Sequence, residues 1–283
     1  MSLYEAFLLM LLFTIVRPLV VIFWKTTQTG KFFKKNQIYR PISESELFIK
    51  TQNKRENLGF MLTVVVDVAV MWSMYALGLF GMSSDFTIDS QLIISLSWQI
   101  PFHFIFLEFT YYWYHRFQHQ YPWLYKYHRY HHLSVVTTPK TSMSFNFWDR
   151  LGLSPQFILP FIAINFITQD SISPWLFIIM GDFNDLVNIA GHINYEIMPK
   201  WWAKNKVLNK ILYTTTHHAL HHSKFRYNYS LFCPFFDLIF KTDFRETEEI
   251  YDLIKEKQNP LPISFSSSSR VASDEIRIPE KCD

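Results

Sequence analysis

Apolar residues in this chain are gathered into long runs separated by short polar stretches. The runs cover residues 3–24, 58–82, 91–113, 151–168 and 172–190. A helix needs about 20 apolar residues to cross a bilayer, and its backbone polar groups must be hydrogen-bonded within the segment. The last two runs are shorter and are joined only by residues 169–171, which is typical of an antiparallel helical hairpin. The pattern predicts an all-α, polytopic membrane bundle with about four to five spans.

A charged residue lies deep within each of the first two runs. Arg17 lies in the first and Asp67 in the second. At a rise of about 1.5 Å per residue they lie about 10 and 13 Å from the ends that share the 25–57 loop. Charged side chains inside a membrane pair with one another or face a polar interior. We therefore expect Arg17 and Asp67 to approach each other.

The polar loops differ in charge. The loop 25–57 has three acids against a larger set of bases, which are Lys25, Lys31, Lys34, Lys35, Arg40, Lys50, Lys54 and Arg55. The connection 83–90 has two acids, Asp85 and Asp89, and no base. Cytoplasmic loops carry the excess of Lys and Arg, so the first loop is predicted to be cytoplasmic and the second to lie outside.

Composition narrows the class of protein further. The net charge is +3 and the bases form no continuous stripe, which argues against a nucleic-acid partner. Only two cysteines are present, so no disulfide framework is expected. The N-terminus lacks a basic region and a cleavage site and is interpreted as an anchor helix. We divide the chain into an anchor helix with a basic loop (1–57), a membrane bundle with a cap (58–255) and a flexible polar tail (256–283).

The histidines are strongly clustered. Five of the eleven fall between residues 115 and 132, at helical spacings of i, i+4 and then i, i+3, i+4. Pro122 separates the two sets and predicts the end of one helix and the start of the next. Residues 218–222 repeat the spacing i, i+3, i+4, and Asn188 precedes His192 by four residues. The nine histidines in these patterns are His115, His119, His128, His131, His132, His192, His218, His221 and His222.

Nine imidazoles and one amide are more than a single tetrahedral zinc ion can use. The count favours two metal ions, although spacing alone does not select iron over zinc, manganese or copper. His103 lies in mid-span and is expected to be a hydrogen-bonded packing residue. His217 is outside the helical register of its neighbours and is not expected to be a ligand.

Three polar residues near the histidines are candidates for supporting roles. Glu108 precedes His115 by seven residues on the same helix face, so it could accept a hydrogen bond from an imidazole, or it could be an interfacial carboxylate paired with a Tyr or Arg side chain. Asp185 and Asn188 lie on one stripe with His192. Asp185 is predicted to contact a metal-binding imidazole, and Asn188 to be a direct or water-mediated ligand.

Residues 199–212 form a further pattern, in which apolar positions alternate with lysines. This pattern predicts a basic amphipathic helix on the membrane surface.

The histidine motifs resemble those of the fatty acid hydroxylase and sterol desaturase superfamily of integral-membrane di-iron oxidases. The motifs are His115-x-x-x-His119, His128-x-x-His131-His132, Asn188-x-x-x-His192 and His218-x-x-His221-His222, in that order. Asn228-Tyr229-Ser230 and the stretch 236–242 are similar to the family's closing motif. The resemblance covers roughly residues 90–245. Residues 143–149 depart from the family's pattern of a basic residue followed later by a Glu, so no subfamily's substrate is carried over.

The resemblance implies a di-iron centre that uses O2 to attack a lipid C–H bond, giving a hydroxyl group or a double bond. Sterols, fatty acyl lipids, sphingoid bases and carotenoids all remain possible substrates. Two electrons per turnover would come from an external donor, such as a reductase or a cytochrome b5-type or ferredoxin-type carrier. The alternatives are a membrane metal-binding protein and a haem-ligating electron-transfer protein. The site is expected on the cytoplasmic face.

Overall fold

The protein is almost entirely helical. Its computed structural model describes residues 1–29, 34–41 and 46–263. Within these ranges the α-helices are, in chain order, α1 (Leu3–Thr29), α2 (Glu46–Ala76), α3 (Ser90–Gln120), α4 (Pro122–His132), α5 (Phe147–Thr168), α6 (Pro174–Gly191), α7 (Lys200–Ala203), α8 (Leu208–Ile211), α9 (Thr215–Lys224), α10 (Phe235–Phe240) and α11 (Thr247–Lys255). Two short strands, β1 (Tyr39–Pro41) and β2 (Leu261–Ile263), pair in parallel. The predicted all-α class is confirmed.

Four of the described helices are long and apolar enough to cross a bilayer. The qualifying segments are Leu3–Thr26, Ile49–Ala76, Ser90–Gln120 and Phe147–Thr168. The predicted polytopic bundle of about four to five spans is thus confirmed with four candidates. The fifth run forms α6, in which Asp182, Asn184 and Asp185 interrupt the apolar sequence. α6 packs against α1 and α3 inside the protein.

Four charged side chains meet within this bundle. Arg17 of α1 donates to Asp67 of α2 and, at 2.7 Å, to Asp185 of α6. Arg150 of α5 donates to both oxygens of Asp67 at 2.6 Å, and Ser154 Oγ adds a bond of 2.5 Å. All of these side chains are buried, and the four charges sum to zero. The predicted approach of Arg17 and Asp67 is confirmed, and the other two charges extend it into a cluster that joins four helices.

The basic loop and the histidines lie at the same end of the bundle. Near the start of α2, Glu56 accepts hydrogen bonds from three hydroxyl groups of the segment 134–141, at 2.7–2.8 Å. At the other end, the N–H of Ser83 donates to the carbonyl of Ile172 at 2.9 Å, so the loops before α3 and α6 meet there. The first turns of α2 therefore belong to the histidine-rich cap.

The stretch 199–212 does not form the single amphipathic helix that was predicted. It forms α7 and α8, separated by a turn in which Asn205 Oδ1 accepts the N–H of Val207 at 2.9 Å. Asn side chains that bond nearby backbone groups compete with helix formation in this way. Three apolar residues of this stretch are nevertheless exposed, Trp201 by 66%, Val207 by 65% and Ile211 by 49%.

The packed part of the chain extends beyond the predicted start of the tail at residue 256. Leu261 and Ile263 of β2 are 1% and 6% exposed, and they pack in the cap beside β1. The rest of the predicted flexible tail, residues 264–283, lies outside the described residues.

Candidate metal centre

A sharp turn brings the first two histidine motifs together. α3 ends at Gln120, Tyr121 takes an extended conformation (φ −101°, ψ 117°), and Pro122 occupies the first position of α4. Proline is well suited to that position because a backbone N–H in the first turn of a helix has no hydrogen-bond partner within the helix, so proline loses no bond by lacking it. The rings of His119 on α3 and His128 on α4 lie 5.0 Å apart. The break predicted at Pro122 is confirmed.

The end of α6 and helix α9 supply the other histidines. α6 ends at Gly191, and His192 caps it with its N–H bonded to Ile189 O at 3.0 Å. α9 packs against α6 and carries three buried histidines at the predicted spacing. The rings of His192 and His218 lie 4.3 Å apart.

The nine clustered histidines form two groups, each with ligand-type atoms that lie within 4.8 Å of one another. The five-histidine group consists of His115, His119, His128, His132 and His221. The four-histidine group consists of His131, His192, His218 and His222. All nine side chains predicted as ligands therefore fall into these groups. Each group combines residues from helices that are distant in sequence.

Backbone carbonyls fix the protonation of several rings. His115 Nδ1 lies 2.7 Å from Tyr229 O, and His221 Nδ1 lies 2.7 Å from Tyr227 O. His192 Nδ1 makes the same contact, also at 2.7 Å, with the carbonyl four residues before it. A carbonyl only accepts, so each Nδ1 must carry the proton. In the neutral ring, Nε2 is then left with a free lone pair.

These lone pairs face one another. Nε2 of His115 lies 3.1 Å from Nε2 of His221, and Nδ1 of each ring already holds its proton. The lone pair of His192 Nε2 similarly faces His218 Nε2, 2.9 Å away. Two nitrogens bound side by side to one ion at about 2.0–2.1 Å, as in zinc–imidazole bonds, are about 3 Å apart. A shared cation fits both distances, and it satisfies the contact between His115 and His221, which would be repulsive between neutral rings.

Unpartnered nitrogens support the same interpretation. Among the described residues, His119 Nε2 and both ring nitrogens of His222 are buried without a hydrogen-bond partner. Buried polar groups are nearly always hydrogen-bonded, and exceptions mark functional sites or missing ions. The residues present fit a pair of metal ions.

Burial also holds the rings in the form that binds metal. It lowers the pKa of His221 to about 3 and that of His192 to about 4. Burial, reinforced by neighbouring imidazoles, lowers the pKa of His218 and His222 well below the ordinary value. These rings are neutral at physiological pH, and no deprotonation cost opposes metal binding.

Residues 100–242, just over half of the chain, match the fatty acid hydroxylase family. The chain belongs to this family. The resemblance drawn from the histidine spacing is thereby confirmed, and the match contains both histidine groups.

Two relatives illustrate the breadth of the similarity. The chain is 37% identical over 147 residues to very-long-chain aldehyde decarbonylase GL1-7 of Oryza sativa subsp. japonica, which covers 52% of this chain and 23% of that protein. It is 34% identical over 172 residues to Protein CER1-like 2 of Arabidopsis thaliana, which covers 60% of this chain and 28% of that protein. The chain thus spans about a quarter of the length of these relatives. No solved structure matches the chain.

Asp149, an acid that was not predicted to lie in the site, contacts the five-histidine group. His128 Nδ1 is 3.3 Å from both carboxylate oxygens of Asp149, and Gln118 Nε2 donates to Asp149 Oδ1 at 2.6 Å. The sequence contains only a weak indication of this contact between Asp149 and His128. Asn146 caps α5 by accepting the N–H of Asp149, which marks the start of a helix but not its distance from His128.

Glu108 takes neither of the two roles predicted for it, because its hydrogen-bond partners among the described residues are neither an imidazole nor a Tyr or Arg side chain. Its carboxylate accepts three backbone N–H groups, from Leu231, Phe232 and Cys233, at 2.7–3.2 Å. The prediction followed the α3 face alone, whereas the chain after α9 lies against α3 and supplies unpaired donors. Glu108 therefore fixes the segment that leads into α10.

Asp185 also differs from its predicted contact, whereas the role predicted for Asn188 is not tested by its contacts within the protein. Asp185 pairs with Arg17, because a buried guanidinium is a stronger partner for a carboxylate than a neutral ring. Asn188 contacts His192 through its backbone carbonyl, while its side-chain nitrogen donates to Ser142 O at 3.2 Å. A role of the Asn188 amide toward a metal stays a prediction.

The remaining two histidines lie outside both groups. His103 is buried with its ring 4.5 Å from Phe161, and neither ring nitrogen has a hydrogen-bond partner among the described residues. It packs as predicted, but the predicted hydrogen bond is not found. His217 stacks on Tyr213 at 5.1 Å, and its Nε2 lies 3.4 Å from Asp237 Oδ2.

Proposed function

We propose that the chain is a membrane-bound oxidoreductase that holds two iron ions in the five-histidine and four-histidine groups. It uses O2 and external electrons to hydroxylate or desaturate a lipid. The observation that carries this proposal is the convergence of nine imidazoles, eight of them buried, with the lone pairs of His115 and His221 facing each other. Imidazole suits iron, zinc and copper alike, and family membership supports iron.

The protein's own part in the reaction follows from the contacts of the two groups. Bound iron would supply the redox chemistry that activates O2. The nine histidines of the two groups would hold the ions. The carbonyls of Tyr227, Tyr229 and Asn188 orient three of these rings, and Asp149 orients His128. All but one of the nine histidines are buried, and His119 is partly buried, so bulk water is largely kept from the reacting atoms.

A small cavity lies between α1, α2, α5 and α6. Its volume is about 40 Å³, and it is lined both by aromatic residues, including Phe157, Phe161 and Phe177, and by the buried cluster of Arg17, Asp67, Arg150 and Asp185. A space that is about the size of one water molecule does not hold a lipid chain. Support for a lipid substrate comes instead from family membership and from the apolar membrane helices.

The relatives suggest a second candidate reaction. Several of them are called very-long-chain aldehyde decarbonylases, at 35–37% identity over about half of this chain. A long-chain aldehyde is therefore a candidate substrate beside the sterol, fatty acyl, sphingoid and carotenoid classes.

Lipid analysis would test the proposed function. We expect mass spectrometry of a host that expresses the chain to show a lipid gaining one oxygen or losing two hydrogens, relative to a host that expresses His221→Ala. Loss of a long-chain aldehyde with formation of a hydrocarbon would favour the second candidate. The purified chain should contain about two iron ions and show no haem Soret band. Identical lipid profiles in the two hosts, together with a metal-free chain, would exclude an oxygenase.

The orientation of the protein in its membrane gives a further prediction. Because the basic loop shares the cap's end of the bundle, we propose that both lie on the cytoplasmic side, where the external electron donor would dock. In intact cells, an impermeant thiol reagent should label Ser84→Cys and leave Lys54→Cys unlabelled until the cells are opened. The reverse labelling would invert the topology.

A further inference from the structure

One short segment, residues 227–230, accepts hydrogen bonds from two imidazoles of the five-histidine group. The carbonyls of Tyr227 and Tyr229 accept from His221 Nδ1 and His115 Nδ1, each at 2.7 Å. His221 lies on α9 and His115 on α3, so the segment 227–230 connects two otherwise separate helices. The orientation of both rings depends on where these carbonyls are held.

The residue between the two carbonyls is fixed from several sides. Asn228 is fully buried and adopts φ 60°, a left-handed conformation that Asn tolerates better than most residues. Its N–H donates to Thr242 O, its Oδ1 accepts the N–H of Phe244, and its Nδ2 donates to His217 O, all at 2.8 Å. Both ends of the amide are therefore occupied by backbone groups.

A single carboxylate holds the rest of the segment. Asp237, fully buried at the start of α10, accepts the N–H of Tyr229 on Oδ1 at 2.8 Å and the N–H of Ser230 on Oδ2 at 2.9 Å. Thr242 Oγ1 donates to Oδ1 at 2.8 Å, and His217 lies against Oδ2. The carboxylate does not reach the metal-type histidines. It contacts the peptide whose carbonyl is bonded to His115.

We propose that Asp237 is a positioning residue for one of the two metal ions. By holding the 227–230 segment, Asp237 sets the two carbonyls that keep His115 and His221 in the tautomer and orientation needed for binding. The four-histidine group takes its carbonyl contacts from Asn188 and from Ser144, at 2.7 and 3.4 Å, and both of these residues lie outside this segment. The inference rests on the proposed function, because it presupposes that the histidines bind metal.

The substitution Asp237→Asn tests the carboxylate at nearly constant volume. An amide has one acceptor oxygen, so its NH2 group would face the N–H of either Tyr229 or Ser230. One buried donor then loses its partner and the segment must shift. Loss of an outer partner of a metal ligand lowers metal affinity by about 10–100-fold. We expect that loss for one ion only.

The experiment uses the purified full chain in nanodiscs, loaded with Fe(II) without oxygen and titrated with a chelator. Metal is then counted by mass spectrometry. Wild type should hold two ions, whereas Asp237→Asn should release one of them at an about 10–100-fold lower chelator concentration. Adding His222→Ala, which removes a ligand of the other group, should leave a double variant with almost no metal. Asp243→Asn, a nearby partly exposed carboxylate, should behave as wild type.

Thr242 provides a test if Asp237→Asn does not fold. Thr242→Val removes the hydroxyl donor to Asp237 at similar volume, and Thr242→Ser retains this donor. Only Thr242→Val should therefore weaken the binding of one ion. Unchanged affinity for both ions, or equal weakening of both, would overturn the positioning role. A wild-type chain that binds no metal would instead overturn the proposed function, and the inference with it.

Discussion

Replacing His221 with Ala should reduce the bound metal from about two ions per chain toward one and abolish product formation. Nε2 of His221 lies 3.1 Å from Nε2 of His115, and His221 is 0% exposed. Because this position is closed to solvent, no surface side chain can replace the lost imidazole as a ligand. An ion that loses a ligand also loses the coordination that sets its redox chemistry. The effect should exceed the about 10–100-fold loss caused by removing an outer partner. Metal counting and lipid analysis on the same preparation would measure it.

The remaining eight histidines of the two groups should behave in the same way, and histidines outside the groups provide the control. His103→Leu removes a buried imidazole whose nitrogens have no hydrogen-bond partner among the described residues, so metal content should stay as in wild type. Asn188→Ala should keep the metal but lose most turnover. If His221→Ala retained both ions while His103→Leu lost them, the assignment of the groups would be wrong.

The histidines could be predicted from the sequence because helical spacing is a local property. His218, His221 and His222 share one face of α9 whatever else surrounds that helix. The partition into five and four could not be predicted. His131 and His132 are adjacent in sequence but belong to different groups. The ring of His131 lies beside those of His192 and His222, and the ring of His132 beside those of His119 and His221.

Carboxylate roles were harder to predict because they depend on contacts between distant segments. Glu108 accepts hydrogen bonds from the backbone N–H groups of residues 231–233. Asp149 lies at the start of α5 and contacts His128 of α4, and a loop separates these two helices in the sequence. Nothing in the spacing of either acid encodes these contacts. Asp185 lies on the predicted polar stripe, but its pairing with Arg17 depends on the packing of α1 against α6.

The fold followed the hydrophobic pattern closely where helices are long. Differences arose in short segments, where local hydrogen bonds compete with the pattern. Asn205 divides the predicted helix 199–212, and residues 261–263 form a strand because β1 offers a partner. Neither effect is visible in hydrophobic periodicity.

Replacing Asp67 with Ala should be the most destabilising change within the membrane bundle. Asp67 is 2% exposed and accepts hydrogen bonds from Arg17, Arg150 and Ser154. Its loss changes the cluster from neutral to a net charge of +1. Removing one partner of a buried ion pair costs about 3–5 kcal/mol, which is a large share of a typical stability of about 5–15 kcal/mol. We expect little monodisperse protein and a lower Tm in detergent.

The choice of second substitution tests how the cluster is arranged. Arg17 keeps Asp185 as a partner when Asp67 is removed. Arg150 is left beside Phe145 and Phe157, with no hydrogen-bonded carboxylate among the described residues. Asp67→Ala combined with Arg150→Met should therefore recover part of the lost Tm, with a coupling energy of about 0.5–3 kcal/mol. Asp67→Ala combined with Arg17→Met should recover less, because it also leaves Asp185 unpaired. Equal recovery in both double variants would contradict the arrangement. Strictly additive losses with Arg150→Met would show that Asp67 and Arg150 do not pair, since neighbouring charges in one buried cluster must couple.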